Sequence, residues 1–339
     1  MAGRVNIGEL ARLLGISKAS VSYALNGQPG VSDQTRARVL ELARELQWYP
    51  SSSARALSGG RAGVVGVVLA REPEVIGTEP YYMLVISGIE SVLIHSEYAL
   101  LLRMVTAEPG RDLAVYEKWA GEKRVDGVML FDQRRVDPRI PLVQLLGLPA
   151  VLHGVPGPGA RIRAVVPDER GDAERVVGHL HALGHRRVAH LTGPLDLLHE
   201  ERRDELMREV AARRGMLVET VPADYTVDTA ARLVAQHLRR RGGPTAWVAS
   251  NDLMALGAMR AAAAAGVGVP GQVSVLSWDD SMLCEVGAPP MTALDRHPRE
   301  YGRLSARALL DEIAGVADDG AVPQPSELRV RASTGPAAP

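Results

Sequence analysis

The chain has a single cysteine, Cys284, which excludes an internal disulfide and suits a reducing compartment. Aromatic residues make up only 4%, so any core must be built mostly from alanine, valine and leucine. The N-terminus lacks the apolar segment of an export signal, and no apolar run is long enough to span a bilayer. A cytoplasmic protein with no membrane partner is therefore expected. No serine elbow or Walker sequence is present, so an enzyme would have neither nucleophile nor phosphate cradle to rest on. Four histidines, His179, His181, His185 and His190, cluster without a cysteine pair, and His179 and His181 fall on opposed faces of one helix. No metal or other cofactor is expected from them. Gly266 to Gly271 spells GxGxxG, but it follows a helix, precedes a strand and contains Pro270, which has no N–H. It reads as a turn, because a dinucleotide fingerprint must follow a strand and open a helix.

What is present is a long chain with uneven charge. Its 339 residues suit two or three domains, and 46% apolar residues can supply their cores. The net charge is −1, yet eight basic against four acidic side chains through Arg61 make a head of about +4 and leave about −5 on the remainder. A cationic head on an acidic body is the asymmetry of a nucleic-acid reader attached to something else.

The head is legible in Ile7–Asn26. Ile7, Leu10, Ala11 and Leu14 recur at helical spacing, and Gly15 can take the positive φ of a tight turn. Ser17 stands where an N-cap belongs, and a second helix from Lys18 to about Leu25 keeps Val21, Ala24 and Leu25 inward. Lys18, Ala19, Ser22 and Tyr23 then point outward. Two helices about a glycine turn are either a helix-turn-helix, whose second helix enters the major groove, or an ordinary helical hairpin. Ser32 caps a third helix, Asp33 to about Gln47, with Val39, Leu42, Ala43 and Leu46 as its stripe. Ser17, Ser20, Ser22 and Asn26 are candidate phosphate contacts, or else caps and solvated side chains. Ser51–Ser58 is polar and short, a linker or a marginal helix.

From Val64 the pattern alternates between valine-rich strands and helices, which gives doubly wound parallel sheets; two such runs in series give two lobes with a cleft. Strands are expected at GVVGVVLA, Ala99–Val105, GVMLF, PAVLH, Arg187–Leu191, Ala246–Ala249 and Val273–Ser277. Ligands in such sheets sit at the carboxyl ends of strands, which nominates Asn251 and Asp252 after one strand and Trp278 and Asp279 after another. Asp252 and Asp279 can equally be a helix cap and a loop residue.

Ile7 through Leu57, with SKASVSYALNG and VSDQTRARVLELARELQWYPSSSARAL, resembles the lactose-repressor (LacI/GalR) family, and the likeness runs in order to RASTGP at the C-terminus. The resemblance implies a helix-turn-helix head at 1–50, a hinge helix and linker at 51–62, and a core at 63–339 with the fold of periplasmic sugar-binding proteins. Lobe 1 would hold about 63–164 and 296–326, and lobe 2 about 165–295 and 327–339. It implies a homodimeric transcriptional regulator on a near-palindromic double-stranded DNA operator, with a small-molecule effector, a sugar or related metabolite, in the cleft. It further implies base contacts by Lys18, Ala19 and Tyr23, and a minor-groove wedge at Leu57 beside Ala54 and Arg55. Effector contacts would come from Arg203, Tyr225 and the pair Tyr81 and Tyr82, which interlobe packing would also explain. With no heptad-like helix after RASTGP, the resemblance implies a dimer rather than the tetramer of some relatives.

Three departures from the family stand out. Tyr23 occupies a position where many members carry a guanine-pairing arginine. Leu206 replaces a glycine three residues after Arg203. Gly154, beside His153, replaces the usual pocket aspartate. The competing readings are an effector-independent DNA binder and a sugar-binding protein or enzyme on the same fold.

Overall fold

The computed structural model describes residues 6–25, 28–48, 60–71, 77–317, 320 and 322–338. The chain forms two compact units, Met1–Val64 with Lys118–Asp126, and Val65–Glu117 with Gly127–Pro339.

In the first unit three helices follow local capping signals: α1 (Ile7–Leu14), α2 (Lys18–Leu25) and α3 (Asp33–Glu45). Asn6 caps α1 by accepting from the Glu9 N–H, and Gly15 ends it in the left-handed conformation at φ 66°. Ser17 Oγ accepts from Ser20 N at 3.0 Å to open α2, and Ser32 Oγ accepts from Thr35 N at 3.2 Å to open α3. Leu10, Val21 and Val39 are fully buried where the helices meet, with Ala11, Ala24 and Ala43 filling the space between. Farther along, the Asp126 carboxylate accepts from the Ala62 and Gly63 N–H groups, both at 2.7 Å.

From Val64 the chain runs β1 (Val64–Ala70), α4 (Pro80–Leu93), β2 (Ala99–Val105), α5 (Arg111–Gly121), β3 (Gly127–Leu130), α6 (Arg139–Leu145), β4 (Ala150–His153) and β5 (Arg163–Val165). It continues with α7 (Glu169–Ala182), β6 (Arg187–Thr192), α8 (Leu198–Ala212), β7 (Leu217–Pro222), α9 (Val227–Leu238), β8 (Ala246–Ala249), α10 (Asp252–Ala264) and β9 (Ser274–Ser277). The last elements are α11 (Met282–Val286), β10 (Thr292–Asp295), α12 (Pro298–Ala314) and β11 (Glu327–Arg329).

Two sheets result, a five-stranded one ordered β2-β1-β3-β4-β5 and a six-stranded one ordered β11-β10-β9-β8-β6-β7. Their central strands are buried along their whole length, as parallel strands covered by helices on both faces must be. Val165, expected to open the second lobe, instead pairs with His153 in the first sheet. β7 was not expected. Leu217 and Glu219 are exposed and Val221 is buried, so this edge strand lacks the continuous apolar run that marks its neighbours. β11 returns antiparallel against β10, with Leu328 opposite Leu294.

α12 lies on the first sheet against α4, although more than 200 residues separate them in the chain. Glycine makes the crossing possible. A Cβ on Gly88 would stand 1.9 Å from Arg299 O, and one on Gly302 2.1 Å from Val85 O. Those obstacles are backbone carbonyls, which cannot rotate away. Gly302→Ala is expected to lower stability by about 1–3 kcal/mol through overpacking, outweighing the better helix propensity of alanine of about 1 kcal/mol. Calorimetry should show the melting temperature falling; an unchanged or raised value would contradict the close crossing.

Candidate functional site

The head presents one face of α2. Lys18, Ala19 and Tyr23 are exposed, and Ser22 is half-buried. Tyr23 lies over the turn before α3, where a Cβ on Gly30 would be 3.3 Å from its ring. Ser17 and Ser20 spend their hydroxyls on each other at 2.9 Å as well as on the cap. Asn26, Ala54, Arg55 and Leu57 lie outside the described residues. A short helix offering a cation, a methyl group and a phenol along one exposed edge has what direct reading of base edges needs.

The second site is a cavity of about 80 Å³ between the two sheets' carboxyl ends, space for on the order of six waters. Segments distant in sequence converge on it because every parallel strand delivers its exit loop to the same side. Arg71 leaves β1, Asp132 follows β3, His153 ends β4, Ser250 follows β8, Trp278 and Asp279 follow β9, and Arg296 follows β10. Tyr81 and Tyr82 come from the first turn of α4, His199 and Glu200 from that of α8, and Arg203 from the second turn of α8. Tyr225 stands before α9 at φ 68°, and Gly193 leaves room for it, since a Cβ there would lie 2.1 Å from the tyrosine ring.

Every arginine here is clamped by a carboxylate and laid on an aromatic face. Arg71 donates to Asp132 twice, at 2.8 and 3.0 Å, and sits 4.3 Å from the Tyr225 ring centroid. Arg203 donates to Glu200 at 2.8 Å and stacks 4.8 Å from Trp278. Arg296 donates to Asp279 at 3.0 Å through Nε and lies 4.8 Å from Tyr81. Charge and π-face together hold each guanidinium in a single orientation.

The surroundings set the protonation states. Burial works to raise the Glu200 carboxyl, but Arg203 and His199 overcome it and bring the group down to about 2. Burial likewise opposes Asp132, and Arg71 carries it well below the usual carboxylate range. Burial drives the His153 imidazole down to about 3 and that of His199 to about 4, so both are neutral at pH 7. His153 is held by Ser305 Oγ at 2.8 Å and by the Tyr81 hydroxyl at 3.0 Å, and it stacks on Tyr301 with centroids 3.6 Å apart.

Of the residues expected from sequence, Tyr81, Tyr82, Arg203, Tyr225, Trp278 and Asp279 line the cavity. Asn251 and Asp252 do not. The Asn251 side chain caps α10 by accepting from Met254 N at 2.8 Å and turns its amide to Glu79 and to Tyr225 O. Asp252 is buried in the first turn of α10, where burial pushes its carboxyl up to about 6. Both follow a strand, but the start of α10 claims the Asn251 side chain, and the Asp252 carboxylate is buried with no hydrogen-bond partner for either oxygen among the described residues. Arg71, Glu79, Asp132, His199, Glu200, Ser250, Arg296 and Tyr301 were not anticipated. Arg71, Asp132 and Arg296 also stand at strand exits and could have been found by applying the same rule to every strand; His199 and Glu200 carry no such mark.

Several contacts tie the two lobes across this cavity. Leu198 N donates to Gln133 O at 2.7 Å, Arg135 pairs with Glu201, and Asn251 reaches Glu79 at 3.3 Å. A reaction is not what this arrangement suggests: each arginine is already paired with a carboxylate, while aromatic faces and neutral imidazoles offer binding surface.

Known proteins match both parts. Residues 6–51 match the bacterial regulatory proteins of the lacI family, and 177–334 match a periplasmic binding protein-like domain. The HTH-type transcriptional regulator AglR of Rhizobium meliloti (strain 1021) is 32% identical over 98% of this chain and 95% of its own length. A solved complex of the regulator CelR with cellobiose is 29% identical, with a TM-score of 0.74 over 97% of this chain and all of that one. The lac repressor dimer bound to operator and the anti-inducer ONPF is 26% identical, with a TM-score of 0.82 over 98% and 99%. None of the described helices is long and apolar enough to cross a membrane. With helix-turn-helix helices at the start of the sequence, a two-lobe fold following them in the chain and full-length likeness to regulators rather than enzymes, the chain belongs to the LacI family of DNA-binding transcriptional regulators.

Proposed function

We propose that this regulator acts in the cytoplasm as a homodimeric repressor of a near-palindromic operator, and that a sugar or related metabolite held between its lobes changes its grip on DNA. Residues 1–50 form the reading head, 51–62 the hinge and linker, and 63–339 the sensing and dimerising core. The observation that carries this reading is the aromatic and charged cavity at the strand exits, joined in one chain to an exposed α2. The cellobiose bound by CelR and the dimer formed by lac repressor on its operator are in keeping with it.

Lys18 donates to guanine O6/N7, and Ala19 and Tyr23 make apolar contacts with neighbouring base edges. Leu57, with Ala54 and Arg55 alongside, wedges a base step in the minor groove. Tyr81, Tyr82, Arg203, Tyr225, Trp278 and Asp279 meet the effector. An effector shifts DNA binding only as far as its affinity differs between the lobe arrangements that fit and do not fit the operator.

Selection of bound sequences from random DNA, followed by a sugar panel tested for release, checks this directly. The expected product is a palindrome bound by a dimer, with log affinity falling about 0.9 per neutralised phosphate for each unit of log salt. A monomer in the ultracentrifuge that still holds a single half-site tightly would contradict the dimeric reading. Operator affinity indifferent to every sugar would favour an effector-independent regulator.

A further inference from the structure

The cavity lining contains six carboxylates, Glu79, Asp132, Glu169, Asp172, Glu200 and Asp279, against three arginines. Five of the six have a hydrogen-bonded guanidinium. Asp132, Glu200 and Asp279 take Arg71, Arg203 and Arg296 as described. Glu169 accepts from Arg202 at 2.9 Å, and Asp172 from Arg175 at 3.2 Å. Glu79 is the remainder. It is only 5% exposed; its Oε1 accepts from the Asn251 amide, and its Oε2 has no hydrogen-bond partner. The nearest cation, Arg71 Nη1, stands 3.7 Å from Oε2 and has already given Nε and Nη2 to Asp132. Residues 72–76, outside the description, contain no basic side chain that could supply another.

A buried carboxylate in excess of its cations is costly, because solvation is lost and nothing replaces it. The lining therefore has one negative charge to spare and one acceptor oxygen unused. It has no guanidinium free of a carboxylate, so an anionic ligand would have to break an existing pair.

We propose that the effector carries a cationic amine, as an amino sugar does, and that Glu79 is the residue that selects it by receiving the ammonium group at Oε2. This rests on the reading of the cleft as the effector site. Arg71, Asp132 and Tyr82 from the first lobe and Asn251, Tyr225 and Asp279 from the second surround Glu79, and none of them supplies a proton donor to Oε2. Burial, opposed by Arg71 and assisted by Asp279 and Asp132, pushes the Glu79 carboxyl up to about 7 in the ligand-free site. A neighbouring ammonium would draw it back down, so taking up the cation releases a proton.

The test is a titration of the full-length protein at pH 6.5 with glucosamine, glucose and glucuronate, repeated with Glu79→Gln. Glutamine keeps the acceptor for Asn251 and removes the charge. The wild-type protein should bind glucosamine at least tenfold more tightly than glucose, and glucuronate most weakly. Glu79→Gln should bring glucosamine affinity down to that of glucose in the same variant, and its melting temperature should confirm that it is folded. In buffers of different ionisation enthalpy, calorimetry should register proton release for glucosamine alone. Glucose or glucuronate binding as well as glucosamine, or a preference that survives Glu79→Gln, overturns the inference and leaves the effector site standing. Binding of none of the three overturns both.

Discussion

Arg203→Ala should cost the sensing half about 3–5 kcal/mol, the usual penalty for breaking a buried ion pair. The side chains of Arg203 and Glu200 are 7% and 1% exposed, so water cannot replace the missing partner. Glu200 would keep Gly193 N at 2.9 Å and Ser250 Oγ at 2.6 Å, but neither neutralises its charge. The loss spreads further, because Ser250 Oγ also meets His190 at 3.3 Å and His190 leans on Asp204 at 2.9 Å. Trp278 would lose the cation on its face as well.

pH gives this prediction a signature. In the wild type the Glu200 carboxyl titrates below its ordinary value, so its stabilising contribution is present above about pH 4 and is lost as pH falls towards 2. Without Arg203 the burial contribution dominates and the carboxyl titrates above its ordinary value. The variant then loses stability as pH rises through that interval. The gap in melting temperature between wild type and variant should be wider at pH 8 than at pH 5. Effector response should disappear while operator binding by the intact head persists. A constant gap, or an effector response left intact, would show that the Arg203–Glu200 pair does not hold the cavity together.

Leu10→Ala is expected to abolish operator binding from the other end of the chain. Truncating a fully buried leucine costs about 2.7–5 kcal/mol, and a unit as small as the head rarely has more than about 3–5 kcal/mol of core stabilisation. Leu10 touches the core formed with Val21 and Val39, so its loss loosens the seat of α2 itself. Because both heads of a dimer must be folded on the operator, affinity should fall by 100-fold or more. Leu13→Ala is the control, since Leu13 is 48% exposed on the same helix and its truncation should leave affinity within about threefold. DNA-binding anisotropy reads both. Binding of sugars and melting of the core should not change in either variant. Equal, small effects of the two substitutions would mean that α1 does not support the reading helix.

The head was readable because its signals act within three or four residues. Gly15, Ser17 and Ser32 cap or end helices by bonds to neighbours in the chain, and the apolar stripes of α1 and α3 need only count along it. The alternation of strands and helices was equally local, and with it the two-lobe class of the core. β7 escaped because an edge strand half open to water does not need an unbroken apolar run.

The cavity belongs to the tertiary structure. Arg71 and Asp132 are 61 residues apart and Asn251 and Glu79 are 172 apart, and no periodicity links residues that meet only because parallel strands end on one side. Sequence by itself determined which residues could be charged, aromatic or capping, since those properties are carried by single side chains and their immediate neighbours. Folding alone decided which arginine neutralises which carboxylate, and left Glu79 as the one carboxylate of the cavity lining without a hydrogen-bonded cation, because electrostatic pairing depends on distances in space that the chain order does not encode.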